Sequence, residues 1–427
     1  MKLVRTYGKS AKEAERLLGR IEERSSTAAS RVEPAVKRIV SDVRRKGDTA
    51  LRKYAERWDR LTPGDPLRVG SDEMAAAWEQ TPRELRKAMQ IAAANIRRFA
   101  RWQMPKNWVR TAGGVQLGQG VLPLESVGCY VPGGRYPLPS TLLMTVVPAQ
   151  VAGVERIAVV SPRPARETLA AAHLAGVKNF YRIGGAQAIA ALAYGTDSVP
   201  PVDKIVGPGN LYVTIAKKLV AFDCGIDMLA GPTEIVVASE RGNPQWIAAD
   251  LVAQAEHDPE TLAVLVTSNT ALAKATAEQV RIESAGNKIA KQAIATNGFI
   301  FITENTKETA EVTNRLAAEH LTIDTEQDFN WVRHAGSIFI GTQTPQSMGD
   351  YISGPNHVLP TGRIAKVRGG LSVYDFLRLV AIQQYSVEGL AQLGPHAVQL
   401  AEAEGLTGHA ASVRIRLNDK PSRGAAK

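Results

Sequence analysis

The stretch RIAVVSPRPARETLAAAHLAGVKNFYRIGGAQAIAALA, residues 156–193, decides the fold class of this chain. It begins with the apolar run RIAVV at residues 156–160, whose β-branched composition is typical of a buried strand. Residues 167–175 have helical composition, residues 179–183 return to strand, and residues 186–193 return to helix. This alternation of strands with helices predicts a parallel sheet covered by helices on both faces.

The same pattern extends outward from this stretch. Residues 204–206 lead through Gly-Pro-Gly-Asn into a helix over residues 211–220. A second series follows, in which strands at 234–238, 262–267, 299–303 and 337–340 alternate with helices at 245–256, 271–280 and 307–320. Residues 1–107 and 372–427 have mostly helical composition. We therefore predict an α/β fold with two Rossmann-like parallel-sheet domains and helical N-terminal and C-terminal segments.

The composition indicates an ordinary soluble globular protein rather than a membrane or secreted protein. The chain has 427 residues, of which 44% are hydrophobic and 22% charged. No apolar run approaches the ~20 residues that cross a bilayer, and the first 20 residues lack the apolar core of a signal peptide. Only two cysteines occur, Cys129 and Cys224, so a disulfide framework is not expected. We predict a cytoplasmic protein with no membrane partner.

The basic charge is confined to one part of the chain. Residues 1–110 contain 26 Lys and Arg against 14 Asp and Glu, and the remainder contains 26 against 28. A basic region of this kind is one mark of a nucleic-acid-binding protein. These charges are mixed with acids along helices, which favours a solvated helix face. We therefore expect no nucleic-acid partner.

Two pairs of residues could carry chemistry on predicted helices. Gln254 and His257 lie three positions apart at a helix end, so an amide oxygen and an imidazole can converge on one divalent metal ion. Glu319 and His320 close the predicted helix 307–320 and could serve as acid and base. Either pair would also fit an ordinary polar helix terminus.

Two segments near the C-terminus hold further candidates. Residues 349–361 form a predicted loop rich in Gly and Pro that contains Asp350 and His357, and such loops favour function over packing. Glu404 and His409 lie on either side of a glycine break. The sequence has no G-x-G-x-x-G fingerprint; residues 207–210, Gly-Pro-Gly-Asn, are its nearest and weaker equivalent.

Taken together, these segments resemble the histidinol dehydrogenase family over residues 20–417. The resemblance rests on eight segments in one order, and each alone could be chance. They are GCYVPGG at 128–134, IGGAQAI at 183–189, VGPGNLYV at 206–213, LAGPTE at 229–234, and residues 254–257, 318–320, 349–361 and 404–409.

The resemblance implies a role for each matching residue. It implies one zinc ion per subunit, held by Gln254, His257, Asp350 and His409. It implies a catalytic pair, Glu319 and His320. It implies that the substrate is held by Thr233, Gln254, His257, His320, Asp350, His357, Glu404 and His409. It implies that NAD is held by Tyr130, Gln187 and Asn210. Many members have Ser in place of Thr233, which retains the hydroxyl.

The function that the resemblance implies is the NAD-dependent oxidation of L-histidinol to L-histidine through L-histidinaldehyde, the last step of histidine biosynthesis. His320 would be the base in both oxidations and Glu319 would activate water. Glu404 and His409 would complete the partner's active site in a homodimer. We predict an N-terminal segment (1–20), a discontinuous catalytic and metal-binding domain (21–128 and 234–371), an NAD-binding domain (129–233) and a C-terminal dimerisation segment (372–427).

Three other readings compete with this one. A relative with the same fold could oxidise another hydroxylated substrate, such as a dihydroxypropanesulfonate, but a sulfonate would want added basic residues. A thiol-dependent aldehyde dehydrogenase would need a nucleophilic cysteine. Cys129 stands beside the predicted NAD contact Tyr130, which argues against it as that nucleophile. A non-enzymatic nucleic-acid-binding protein would account for the basic N-terminal region alone.

Overall fold

The computed structural model describes residues 1–133 and 137–419, and for residues 25–30 it describes the backbone alone. Gly134 of the 128–134 motif and residues 420–427 of the predicted C-terminal segment therefore lie outside the described residues. Numbered along the chain, the strands are β1 (Lys2–Arg5), β2 (Arg68–Val69), β3 (Trp108–Ala112), β4 (Val115–Pro123), β5 (Ser126–Tyr130), β6 (Arg156–Val160), β7 (Asn179–Tyr181), β8 (Lys204–Val206), β9 (Gly225–Ile226), β10 (Glu234–Ala238), β11 (Leu262–Thr267), β12 (Gly298–Ile302), β13 (His320–Ile323), β14 (Ser337–Ile340) and β15 (Leu377–Tyr385).

The α-helices alternate with many of these strands along the chain. They are α1 (Ala11–Lys46), α2 (Asp48–Trp58), α3 (Ser71–Gln80), α4 (Arg83–Gln103), α5 (Pro139–Ala152), α6 (Arg166–Leu174), α7 (Gly185–Tyr194), α8 (Leu211–Val220), α9 (Pro244–Ala255), α10 (Thr270–Glu283), α11 (Lys288–Asn297), α12 (Thr306–Leu316), α13 (Ser347–Tyr351), α14 (Val387–Ala403) and α15 (Thr407–Asn418). Residues 1–103 and 124–376 form one compact unit, and residues 104–123 with 377 onward form a second.

The first unit contains two six-stranded sheets of similar design. The first sheet has the order β1-β12-β11-β10-β13-β14, and all its strands are parallel. Its central strands β10, β11 and β12 are buried on both faces, as a sheet covered by helices requires. Val236 and Phe301 belong to one core, which includes residues of α1 and α12, and Ile235 and Ile300 belong to the other, which includes residues of α9, α10 and α11.

The second sheet has the order β2-β7-β6-β5-β8-β9, parallel except that β2 runs antiparallel to β7. Helix α1 serves both sheets, because its 36 residues are long enough to reach two cores. Leu17 and Leu18 near its start pack into the first sheet's core. Val36 and Val43 near its end pack with Ile189 of α7 against the second sheet.

The second unit is built differently. Strand β4 pairs antiparallel with β3 on one side and with β15 on the other. Helices α14 and α15 follow, joined by an ion pair between Arg414 and Glu402. Gly394 of α14 lies against Leu417 of α15, where a Cβ atom would come 3.0 Å from the leucine side chain, so a larger residue would require that side chain to shift.

The structure confirms the predicted α/β class with parallel sheets, and it corrects three local predictions. Residues 1–20 are not wholly helical, because β1 adds an edge strand to the first sheet. Only Val4 of that strand is buried, so it lacks the apolar run that marks a strand. Residues 372–427 are not wholly helical either, since β15 pairs with β4 over nine residues.

The third correction concerns the predicted helix 307–320, which ends at Leu316. The domain division stays a prediction, although its boundary at residues 128 and 129 falls inside β5. Among the described residues, no helix is long and apolar enough to span a membrane.

Candidate active site

Two neighbouring strands of the first sheet begin at the same place. In the parallel register of β10 and β13, Ile235 lies opposite His320, so the residues just before each strand meet at the amino edge of the sheet. His320 therefore begins β13 and Glu319 directly precedes it, and the prediction that they close a helix is wrong. Ala317, in the left-handed conformation with φ of 48°, ends helix α12 and turns the chain into β13.

The Glu319 carboxylate is held by groups at the start of β10 and just before it. One oxygen, Oε2, accepts hydrogen bonds from the Thr233 hydroxyl and from the backbone N–H of Glu234, the latter at 2.9 Å. The Gln254 side-chain amide of α9 donates to the same Thr233 hydroxyl. The hydroxyl at position 233 thus joins a predicted catalytic carboxylate to a predicted metal ligand.

The His320 imidazole lies between a backbone carbonyl and two carboxylates. Its Nδ1 is 3.2 Å from the Glu234 carbonyl oxygen, its Nε2 is 3.4 Å from Asp350 Oδ1, and Glu319 Oε2 lies 3.6 Å from Nδ1. Burial acts to lower the pKa of His320, but the charges of Glu319 and Asp350 outweigh it and raise the pKa to about 10. Neutralising either carboxylate would lower the pKa of His320 toward its ordinary value.

Asp350 lies in the short helix α13, where the sequence predicted only a loop. Its Oδ2 accepts from the Gln346 side-chain amide at 3.0 Å, and the same amide donates to Gln254 Oε1. Burial acts to raise the pKa of Asp350, but its hydrogen bond to His320 and the nearby imidazoles, His257 among them, lower it overall. The carboxylate is therefore held in its charged form.

His357 is fixed as a neutral imidazole. Its Nδ1 donates to the backbone carbonyl of Asp350 at 2.7 Å, and its Nε2 accepts from the Thr141 hydroxyl at 3.1 Å. Burial lowers the pKa of His357 below its ordinary value. A neutral imidazole in this position can accept or donate a hydrogen bond without adding charge to the site.

A cavity of about 160 Å³ opens beside these groups. His320, Asp350 and His357 line it, together with Phe339, whose ring centroid lies 6.0 Å from that of His320. Among the described residues, no Lys or Arg lines this cavity. The site is therefore suited to a small, neutral or cationic substrate rather than to an anion.

The donor groups present fit a zinc ion in their chemistry. Gln254 lies in the last turn of α9, and His257 follows that helix by two residues. An amide oxygen, an imidazole nitrogen and a carboxylate oxygen are all groups that zinc accepts. Within the described part of the chain, no three His, Cys, Asp or Glu side chains gather closely enough to hold a metal. The predicted set includes a glutamine, and His409 belongs to the second unit.

The predicted NAD contacts lie on the second sheet. Tyr130 ends β5, and its hydroxyl accepts from the Gly185 N–H at 3.1 Å. Gln187 of α7 is buried and donates to Asp59 at 3.1 Å, while its Oε1 has no partner among the described residues. Asn210 caps α8 with its own side chain. Tyr130 and Asn210 thus stand at the carboxyl ends of the neighbouring strands β5 and β8.

Glu404 and His409 lie in the second unit, Glu404 at the end of α14 and His409 in the first turn of α15. Sequence reasoning missed three groups in the first unit that hold the site. They are Thr141, Gln346 and the Arg24 guanidinium, which donates to Glu234 Oε1 at 3.3 Å. Gln346 alone carried a signal, since it precedes Asp350 by four positions.

Neither cysteine is placed to act as a nucleophile. Cys129 and Cys224 are both buried and unpaired. Burial raises the pKa of each thiol to about 12, which disfavours the reactive thiolate. These positions support the prediction that no thiol takes part in the reaction.

Together, the two parallel sheets and the buried carboxylate–imidazole pair define an α/β enzyme with acid–base machinery at a sheet edge. The family model described as histidinol dehydrogenase matches residues 22–417. Histidinol dehydrogenase from Gluconobacter oxydans is 46% identical over 92% of this chain and 94% of that protein. The one from Aquifex aeolicus is 44% identical over 91% of this chain and 93% of that protein.

Solved structures agree with these sequence matches. The crystal structure of histidinol dehydrogenase from Elizabethkingia anophelis has a TM-score of 0.91 and 34% identity, and 98% of each chain is covered. The chain belongs to the histidinol dehydrogenase family. The resemblance inferred from the eight sequence segments is therefore confirmed.

Proposed function

We propose that this chain oxidises L-histidinol to L-histidine through L-histidinaldehyde, with NAD as the acceptor and zinc at the site. The observation that carries the proposal is the placement of Glu319 and His320 at the start of β13, within one hydrogen-bonded cluster with Thr233, Gln254 and Asp350. Family membership supplies the substrate, and the cavity without Lys or Arg among the described residues favours an amino alcohol over a sulfonate.

In this proposal His320 is the general base for both oxidations, and a zinc cation held by Asp350 would offset the carboxylate charges that otherwise keep the imidazole protonated. The Glu234 carbonyl fixes the Nδ1 proton, which leaves Nε2 as the atom that exchanges a proton with substrate. Glu319 is held through one oxygen, so its other oxygen can orient the water that hydrates the aldehyde. Retaining the aldehyde at the site allows two oxidations in sequence.

Zinc would be held by Gln254, His257, Asp350 and His409, where it would supply a template that orients the imidazole and amino nitrogens of the substrate. His357, Thr233 and Glu404 are proposed as further substrate contacts. NAD, proposed to contact Tyr130, Gln187 and Asn210, supplies the hydride acceptor. The reduced state of both buried cysteines is consistent with a cytoplasmic setting.

The direct test is a substrate panel followed by NADH absorbance. L-histidinol and L-histidinaldehyde should each give NADH, with two equivalents per histidinol and one per histidinaldehyde. Dihydroxypropanesulfonate should give none. Turnover of the sulfonate in preference to histidinol would assign the chain to a different substrate within the same fold.

We also propose a homodimer in which Glu404 and His409 complete the partner's site. His257→Asn and His409→Asn are each expected to be inactive. If His409 acts in the partner's site, a mixed dimer of the two variants has one intact site, and random mixing should restore about a quarter of wild-type activity. Activity near zero in verified mixed dimers would place His409 in its own chain's site.

A further inference from the structure

The first sheet has a second cleft, at the opposite end of β10 and β13 from the acid–base pair. β10 is the strand at which the order reverses, with β11 and β12 on one side and β13 and β14 on the other. In open parallel sheets such a reversal opens a crevice at the carboxyl ends of the strands, and ligands bind there. A cavity of about 30 Å³ lies at this point, lined among others by Ser239, Trp246, Asp250, Thr322 and Asp324. We call it the carboxyl-edge cleft.

One of its two carboxylates is satisfied and the other is not. Asp324 accepts hydrogen bonds from the Ser239 hydroxyl at 2.6 Å and from the Glu240 N–H at 2.7 Å. Asp250 of α9 receives no side-chain hydrogen bond or ion pair from the described residues, and burial raises its pKa to about 6. A carboxylate partly removed from water without a partner destabilises the folded chain, so such groups concentrate at functional sites.

The remaining lining is neutral and hydrogen-bonding. The Thr322 hydroxyl oxygen is buried and has no partner among the described residues. Trp246 also lines the cleft, and the residue is 47% exposed. An indole ring attracts a cation through its negative face. Within the described lining, no Lys or Arg supplies the missing counter-charge.

We propose that the carboxyl-edge cleft binds the ammonium group of a small amine, with Asp250 as its counter-ion. The volume admits a group of one or two heavy atoms, which suits an ammonium head and excludes a nucleotide. Phosphate and carboxylate ligands are disfavoured, because they would meet the charges of Asp250 and Asp324. The same position on the second sheet is where a dinucleotide is proposed, so side-chain charge rather than topology separates the two sites.

The test uses 2-aminoethanol as the probe and Trp246 as the reporter. The chain has six tryptophans, so the full-length protein labelled with ¹⁵N-tryptophan gives few indole signals, and Trp246→Phe assigns the relevant one. Titration should shift this signal saturably with a millimolar Kd. The neutral isostere 1,2-ethanediol and the anion glycolate should leave it unchanged up to about 100 mM, where 1 mM affinity would be saturated.

Two variants make the assignment specific. Asp250→Asn keeps the shape but removes the charge, and should weaken binding about tenfold or more, as the loss of a charge-assisted hydrogen bond does. Thr322→Val, which changes only an enclosed hydroxyl in the lining, and the exposed control Asp72→Asn should leave binding unchanged. None of these variants should change the KM for L-histidinol. Absence of a saturable shift in the wild type, or equal binding by Asp250→Asn, would overturn the proposal.

Discussion

The two six-stranded sheets have the same strand order, but their candidate functional residues lie at opposite ends of the strands. In the second sheet, the proposed cofactor residues Tyr130 and Asn210 stand at the carboxyl ends of β5 and β8, the pair at which the strand order reverses. In the first sheet, Glu319 and His320 stand at the amino end of β13, beside the start of β10. The strand order therefore favours a crevice at the carboxyl ends of the strands in both sheets. The polar residues, and not the strand order, decide at which end of the strands the proposed cofactor contacts or the acid–base pair lie.

The reason lies in the backbone groups that each edge exposes. At the amino edge of the first sheet, the N–H of Glu234 is free to hold a carboxylate, and it binds Glu319. At the carboxyl edge of the second sheet, helix starts follow the strands, and their N–H groups are held by Asp59 and by Asn210 itself. Because side chains already bind these N–H groups, they are not free to bind a phosphate in the way that a glycine-rich helix start does.

Metal removal should separate the two edges most sharply. Dialysis against a strong chelator should abolish histidinol oxidation, since the proposed zinc ligands all serve the catalytic edge, and added zinc should restore it. NADH binding, followed by its fluorescence, should persist in the metal-free protein. Full activity in protein shown by elemental analysis to be metal-free would refute the zinc assignment.

Replacing the base should be the next largest effect. His320→Asn is expected to lower kcat for both oxidations by ~10²–10⁴-fold, because each needs a proton removed. NADH affinity and thermal stability should stay near wild type. His173→Asn, an exposed histidine on α6 of the second sheet, is the matched control and should keep full activity. A loss below tenfold in His320→Asn would mean that another group is the base.

A charge removed at Glu319 should distinguish the two oxidations. In Glu319→Gln the amide oxygen can still accept from Thr233 and from the Glu234 N–H, so the geometry should survive. The rate of aldehyde oxidation should fall by ~10²-fold, because the glutamine cannot activate the water that hydrates the aldehyde. The rate of alcohol oxidation should fall less, because that step needs no water. Single-turnover measurements on each substrate decide this, and equal losses would remove Glu319 from water activation.

The contrast between the sheets also explains what the sequence could predict. Apolar strand segments and adjacent residue pairs such as Glu319 and His320 are local features of the sequence. Both sheets and the candidate pair could therefore be predicted from the sequence alone. Strand β1 was not, because its position depends on Lys2 pairing with Phe299. Thr141 reaches His357 across 216 residues, and only tertiary packing brings such partners together.

A smaller effect is expected when a proposed NAD contact on the second sheet is altered. Tyr130→Phe removes the hydroxyl that accepts from Gly185, a hydrogen bond worth about 1 kcal/mol. The KM for NAD should rise by about fivefold, with the KM for histidinol unchanged. Tyr181→Phe, at the end of β7 in the same sheet, is the control. If both variants behave alike, Tyr130 serves packing and not the cofactor.

The smallest effect should come from the thiols, which test whether the second sheet does any chemistry of its own. Cys129 lies within β5 beside Tyr130, and the buried Cys224 directly precedes β9, where its thiol donates to the Val202 carbonyl. The double replacement by Ala should lower the free energy of unfolding by roughly 1–2 kcal/mol, because each change leaves a small cavity. Both oxidations should keep near-wild-type kcat, since neither thiol is available as a thiolate.

The measurements are denaturant unfolding and steady-state kinetics with each substrate. If aldehyde oxidation alone were lost while folding was intact, or if mass spectrometry trapped a thioester on Cys129, chemistry would have to be assigned to the carboxyl edge of the second sheet, and the division of labour between the two sheets would fail.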